Sequence, residues 1–254
     1  MQQRIILHTI TALSWLLVIS CRKNDIDPPG TASLTIINTV KGSSSLVPNF
    51  SGTASLPNHY INALQLAFNT FQPNYQVTSR QGRQTLALYN YPDTLPKDKP
   101  LLLLELELPV GAIRSLFVTG TVHAPDTFMT HDLPPYHPPT DSATGIRFVN
   151  LVQGSSPVSV NLAGQPGGSE ISRLLYKQVS AFKNYAATAA VSSYTFEFRD
   201  AATGELLCSY TAEGIGKNSS SDPFDPVNKW RYRNCTLAMV ANADDTKSVL
   251  LINN

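Results

Sequence analysis

Groups able to do chemistry are few in this sequence, and their densest concentration is His123, Asp126, His131, Asp132 and His137. Imidazoles and carboxylates are metal-ligand types, but a zinc site needs three or four of them held convergently at characteristic spacings, which these do not match. The stretch also carries Pro125, Pro134, Pro135, Pro138 and Pro139. Nothing there preorganises ligands, so the five read as solvated linker residues, and no metal or cofactor is expected. His59 stands alone near a turn and reads as a surface residue. A serine nucleophile would call for an elbow such as Gly-x-Ser-x-Gly, which the sequence lacks. Glu105 and Glu107 invite comparison with paired glycosidase carboxylates. Two positions apart on a strand, however, they share one solvated face. Gly164 to Gly168 is glycine-rich without joining a parallel strand to a helix, so a phosphate cradle is not supported. No catalytic residue is assigned, and a non-enzyme is expected.

Aromatic side chains are the better candidates for recognition. Tyr89 and Tyr91 lie near one predicted strand end, and Trp230 and Tyr232 follow a long loop. Such rings stack on sugars or anchor a partner protein, though they more often fill sandwich cores, where aromatics carry much of the buried area. Cys208 and Cys235 fall in predicted strands on either side of that loop. They form either a disulfide, worth roughly 3 kcal/mol in the chain-entropy model, or two buried thiols packing as small hydrophobes.

The elements that must position these groups are strands. Ile146 and Phe148, the Val158-Val160-Leu162 series, and Tyr194, Phe196 and Phe198 alternate with polar residues, as half-buried strands do. Leu101 to Leu108 is bracketed by Pro100 and Pro109 and ends in alternating Leu and Glu, which favours a strand over a helix. Leu34 to Ser44 (LTIINTVKGSS) overlays Ile146 to Ser156 (IRFVNLVQGSS) without a gap, and Asn49 to Gly52 continues onto Asn161 to Gly164. A period of 112 positions (146 − 34) is domain-sized, so the chain reads as a duplication. Weaker matches continue: Thr85 to Tyr89 with Tyr194 to Phe198, and Leu116 to Gly120 with Leu237 to Ala241. About seven strands per copy predict an all-β protein of two tandem immunoglobulin-like β-sandwich domains, over 33–122 and 144–254. Residues 123–143 read as a Pro-rich linker, and 213–228 as a long loop inserted in the second copy. With 19 Lys and Arg against 18 Asp and Glu, and no basic block, nucleic acid is not an expected partner.

Before the repeat, Arg4 precedes an apolar run from Ile5 to Ile19, the pattern of a secretory signal over residues 1–20. His8, Thr9, Thr11 and Ser14 interrupt it too often for a spanning helix. Val18-Ile19-Ser20-Cys21 resembles the lipobox of bacterial lipoproteins. That resemblance implies cleavage before Cys21, lipidation of its thiol, and a tether over 21–32. Arg22, in place of the Asp that retains lipoproteins at the inner membrane, points to the outer membrane. The second copy, through Ile146 to Asn150, Gly154 to Gly164, Tyr176 to Ser180 and Tyr194 to Arg199, resembles the domain of unknown function 4397 family found in Bacteroidota lipoproteins. The first copy departs from it in carrying Thr35 where the second has Arg147. Asp93-Thr94-Leu95 and Asp141-Ser142-Ala143 resemble Bacteroidota O-glycosylation sites, which makes Thr94 and Ser142 the candidate acceptors. The expected protein is a non-catalytic, lipid-anchored envelope module that binds a glycan or envelope proteins. A fimbrial-type subunit donating its C-terminal strand, Ser248 to Ile252, is the alternative, and a hydrolase the remote one.

Overall fold

The computed structural model describes residues 30–51, 64–95, 97–217 and 228–254. The signal segment, Cys21, most of the tether and His59 lie outside them, as does most of the long loop. Among the described residues sixteen strands form four four-stranded sheets. The first copy holds β1(Thr31–Asn38), β2(Ser45–Asn49), β3(Leu66–Ala67), β4(Gln76–Arg80), β5(Gly82–Asn90), β6(Leu102–Leu108), β7(Ile113–Thr121) and β8(Ala124–His131). The second holds β9(Ala143–Asn150), β10(Val158–Leu162), β11(Ile171–Leu174), β12(Lys183–Ala186), β13(Ser193–Asp200), β14(Leu206–Glu213), β15(Asn234–Ala241) and β16(Lys247–Asn253). In the first copy the orders are β4-β1-β7-β8 and β3-β2-β5-β6; in the second they are β12-β9-β15-β16 and β11-β10-β13-β14. Subtracting eight from each strand number of the second copy reproduces the first, so the duplication holds in the wiring. Each copy is a sandwich of four strands on four, where the immunoglobulin constant type has four on three. The Thr85 to Tyr89 match is one position out. Pro48 pairs with Leu88 and Val160 with Phe198, so Leu88 is the counterpart of Phe198. A one-residue slip exchanges the faces of a strand, which ladder pairing decides and local pattern does not.

The repeated Asn-x-x-x-Gly-Ser motif is a turn clamp. Asn38 donates through Nδ2 to the Leu66 carbonyl and Ser43 Oγ, both at 3.0 Å, while its Oδ1 accepts from Val40 N–H. Asn150 does the same with Leu174 (3.4 Å), Ser155 (3.0 Å) and Val152 (3.0 Å). Gly42 and Gly154 follow at φ of 92° and 75°, a region that disfavours a Cβ. Asn150→Ala leaves the buried Val152 N–H without its acceptor and is expected to cost about 1 to 3 kcal/mol in urea unfolding. A loss indistinguishable from zero would mean that the turn closes without the clamp.

The two sandwiches share a core. One face of each inner sheet covers its own hydrophobic interior; the other meets the neighbouring domain, with Ile37, Phe117 and Phe128 packed against Val149, Leu151, Ala238, Leu250 and Ile252. By pairing register, Ile37, Phe117 and Phe128 correspond to Val149, Ala238 and Leu250, so equivalent faces meet. This double coverage explains why every residue of β9 is buried. At the edge of the contact a buried ion pair joins the domains: Arg147 Nη1 lies 2.7 Å from Asp132 Oδ1. Asp132 also accepts from Ser115 (2.5 Å) and Thr130 (2.6 Å), and Arg147 Nε donates to Thr236 at 2.7 Å. Thr35, the counterpart of Arg147, is buried without a charge. The departure between the copies is thus the residue that locks them together.

The linker expectation over 123–143 is corrected by this structure. Ala124–His131 is β8, paired with β7(Ile113–Thr121) along its whole length. Its Pro125 sits on an edge strand, where a missing N–H is tolerated. Residues 132–142 do connect the domains, but tied down: His137 is buried, with Nδ1 3.1 Å from Asp141 and Nε2 3.0 Å from Asn234. Asn234 also donates to the Pro135 carbonyl at 2.9 Å. Of the five groups read as solvated, only His123 and His131 are exposed. Asp126 bridges to Lys177 at 2.8 Å and to Tyr176 at 3.0 Å. Burial opposes its ionisation, but hydrogen bonds from Lys177, the Thr127 backbone and Tyr176 outweigh that and hold the carboxyl below its usual range.

Candidate functional site

In the second domain the free edges of the two sheets, β14(Leu206–Glu213) and β16, run side by side and leave a cleft of about 520 Å³ between them. Tyr210, Thr211 and Glu213 form one wall, and Leu251 and Asn253 the other. Trp230 lies at its base, with Lys229 and Arg233 on the rim. Two cations against one carboxylate leave this site with one net positive charge (2 − 1). Trp230 is only 7% exposed and belongs to the core, and its Nε1–H donates to the Glu213 carbonyl at 2.9 Å. As a free ligand-stacking ring it is therefore corrected: it borders the cleft while packing within the core of the domain. Burial raises the Tyr210 hydroxyl above its usual pKa, with Cys235 a smaller cause.

Sequence reading missed Asn228, which shuts the mouth of the long loop. Its side chain donates to the Ile215 (3.0 Å) and Lys217 (3.1 Å) carbonyls and accepts from Trp230 and Arg231 N–H. An Asn at the end of a loop is the one available signal, since this side chain readily replaces backbone partners in turns.

The other candidates do not gather here. Tyr232 is exposed at a strained φ of 63° and donates its hydroxyl to the Pro139 carbonyl at 2.8 Å. Tyr89 is fully buried with Val47 and Ala87, which corrects its reading as a ligand contact. Burial, then Asp98, raises its hydroxyl pKa. Tyr91 stays exposed on the first domain, before a cis peptide bond to Pro92. Thr94 and Ser142 are half-buried, the latter immediately before β9. Glu105 and Glu107 are exposed on β6(Leu102–Leu108), as a solvated strand face requires. Among the described residues no group of three or more His, Cys, Asp or Glu could hold a metal.

Cys208 and Cys235 are free thiols, so the disulfide alternative is corrected. Their strands, β14 and β15(Asn234–Ala241), belong to opposite sheets of the sandwich, and the thiols pack in its interior. Burial pushes both up to about 12, with Lys247 pulling slightly against it at Cys208. A thiol reagent at pH 8 is expected to modify neither until the protein is denatured. Because the folded values lie above the unfolded value of about 8.5, their contribution to stability is complete below that pH. It is lost as pH rises from there towards about 12. Full reaction of native protein within minutes would contradict this burial.

A second cleft, of about 340 Å³, opens where the domains meet near the Gly42 and Gly154 turns. Two of its polar groups are committed to structure: Lys41 is ion-paired with Asp245, and Ser155 accepts from Asn150. No family model matches the chain. No curated protein matches it either. A crystal structure described as a "putative adhesin from Bacteroides ovatus" is 13% identical, over 91% of this chain and 96% of that one, at a TM-score of 0.21. A likeness at that level carries no argument about this chain.

Proposed function

We propose that this protein is a non-catalytic, lipid-anchored module of the cell envelope whose β14/β16 cleft binds an acidic glycan or a similarly anionic ligand. The observation that carries the reading is the cleft itself: Tyr210 and Trp230 line it together with the exposed cations Lys229 and Arg233. Apolar lining with a few convergent polar groups is the usual composition of a small-molecule site. Anchorage through Cys21 at the outer membrane rests on the sequence alone. The strand-donating alternative loses its support, because β16 pairs with β15 along its length and Ile252 is fully buried. A hydrolase finds little in the inter-domain cleft, whose Lys41 and Ser155 are already engaged.

The test is a glycan array probed with the protein, beside the Arg233→Ala and Lys229→Ala variants. Retention of acidic glycans, lost in either variant at unchanged Tm, supports the reading. Binding that ignores both substitutions, or capture of envelope proteins with no glycan, sinks it. Intact mass of native protein, showing diacylglycerol on Cys21 or its absence, tests the anchor.

A further inference from the structure

Strands β1 and β7 run parallel in one sheet and β9 and β15 in another. Their far ends meet, Thr119 Oγ1 donating to the Leu151 carbonyl at 2.8 Å and Lys41 pairing with Asp245, so their starting ends share the opposite pole of the molecule. The chain enters the fold at this pole, where Gly30 lies against Val110 and the Gly111 N–H bonds the Thr31 carbonyl at 2.8 Å. The connection over 132–142 also crosses it, beginning where the Asp132 N–H bonds the Ile113 carbonyl at 2.9 Å. Five apolar or aromatic residues are left uncovered there: Val110 (66% exposed), Ile113 (39%), Leu133 (72%), Tyr136 (83%) and Tyr232 (43%). Single exposed apolar residues are ordinary, whereas several on one end of a molecule mark a contact surface.

We infer that this pole rests on the lipid surface, an inference that depends on the anchorage at Cys21 proposed above. Gly30 follows Cys21 by nine positions (30 − 21), which even fully extended span only about 30 Å. The tether therefore keeps this pole, with its uncovered side chains, within about 30 Å of the attachment point. Tyr, with an apolar body and a polar tip, suits the depth of the headgroups. The opposite pole, at Gln153, is held away by the length of the eight-residue strands, about 25 Å.

The experiment uses the full lipoprotein in vesicles of phosphatidylethanolamine and phosphatidylglycerol, with a fluorophore on Tyr136→Cys or on Gln153→Cys and a doxyl-lipid quencher. Quenching several-fold stronger at 136 than at 153, and reduced by adding Leu133→Asp, is the expected result. Equal weak quenching on a protein whose mass includes the acyl chains overturns the apposition alone. A protein without acyl chains overturns the anchorage and the apposition with it. Self-association in detergent, abolished by Leu133→Asp while quenching stays equal at both sites, would assign the patch to a second copy instead.

Discussion

Arg147→Ala is expected to lower stability by about 3 to 5 kcal/mol, the cost of stranding a buried charge, and Tm by roughly 6 to 20 °C for a chain of this size. Asp132 is 2% exposed and Arg147 3%, so water does not replace the lost partner. Ser115 and Thr130 continue to donate to the carboxylate, which keeps the loss from being larger. The guanidinium also lies 4.7 Å from the centre of the Phe182 ring, a contact removed with it. Replacing both partners, as Asp132→Leu with Arg147→Met, is expected to recover much of the loss, since an ion pair and an apolar pair of similar volume often differ little. The measurement is a double-mutant cycle by calorimetry. A single-mutant cost below about 1 kcal/mol, typical of exposed pairs, would mean that water reaches the pair and that it does not lock the domains.

Trp230→Ala comes next in size, at about 3 to 5 kcal/mol for truncating a large core aromatic. The ring packs within the second domain's core, and its loss also frees the Glu213 carbonyl at the end of β14. The substitution would therefore abolish binding whether or not Trp230 touches a ligand. Arg233 and Lys229 are the discriminating positions, being exposed on the rim and absent from the core. Urea unfolding of Trp230→Ala checks this. A midpoint equal to that of the parent would return Trp230 to the role of a ligand contact.

Legibility in the sequence followed the range of the interactions. β6 was readable because Pro100 and Pro109 bracket alternating Leu and Glu, and alternation is a local consequence of one wet face. An aromatic after a long loop more often serves a core than a ligand site, and Trp230 does so. The cleft it underlies needs β14 and β16, which are separated by the loop and by β15 and meet only when the sheets stack. β8 was misread for the opposite reason: its proline argued against a ladder, and only the pairing of Phe128 with Phe117 outweighs that.

The sequence by itself determined the all-β class and the duplication. Alternation and the ungapped repeat carry both, because each is written in residues a few positions apart. The turn clamps at Asn38 and Asn150 are local only in part, since their bonds to Leu66 and Leu174 cross from distant strands. Which faces the two copies bury against each other was decided only in the tertiary structure. So were the choice of free thiols over a disulfide, and the meeting of Asp132 with Arg147. Each of these depends on where sheets stack, and stacking is fixed by the summed burial of side chains that are far apart along the chain.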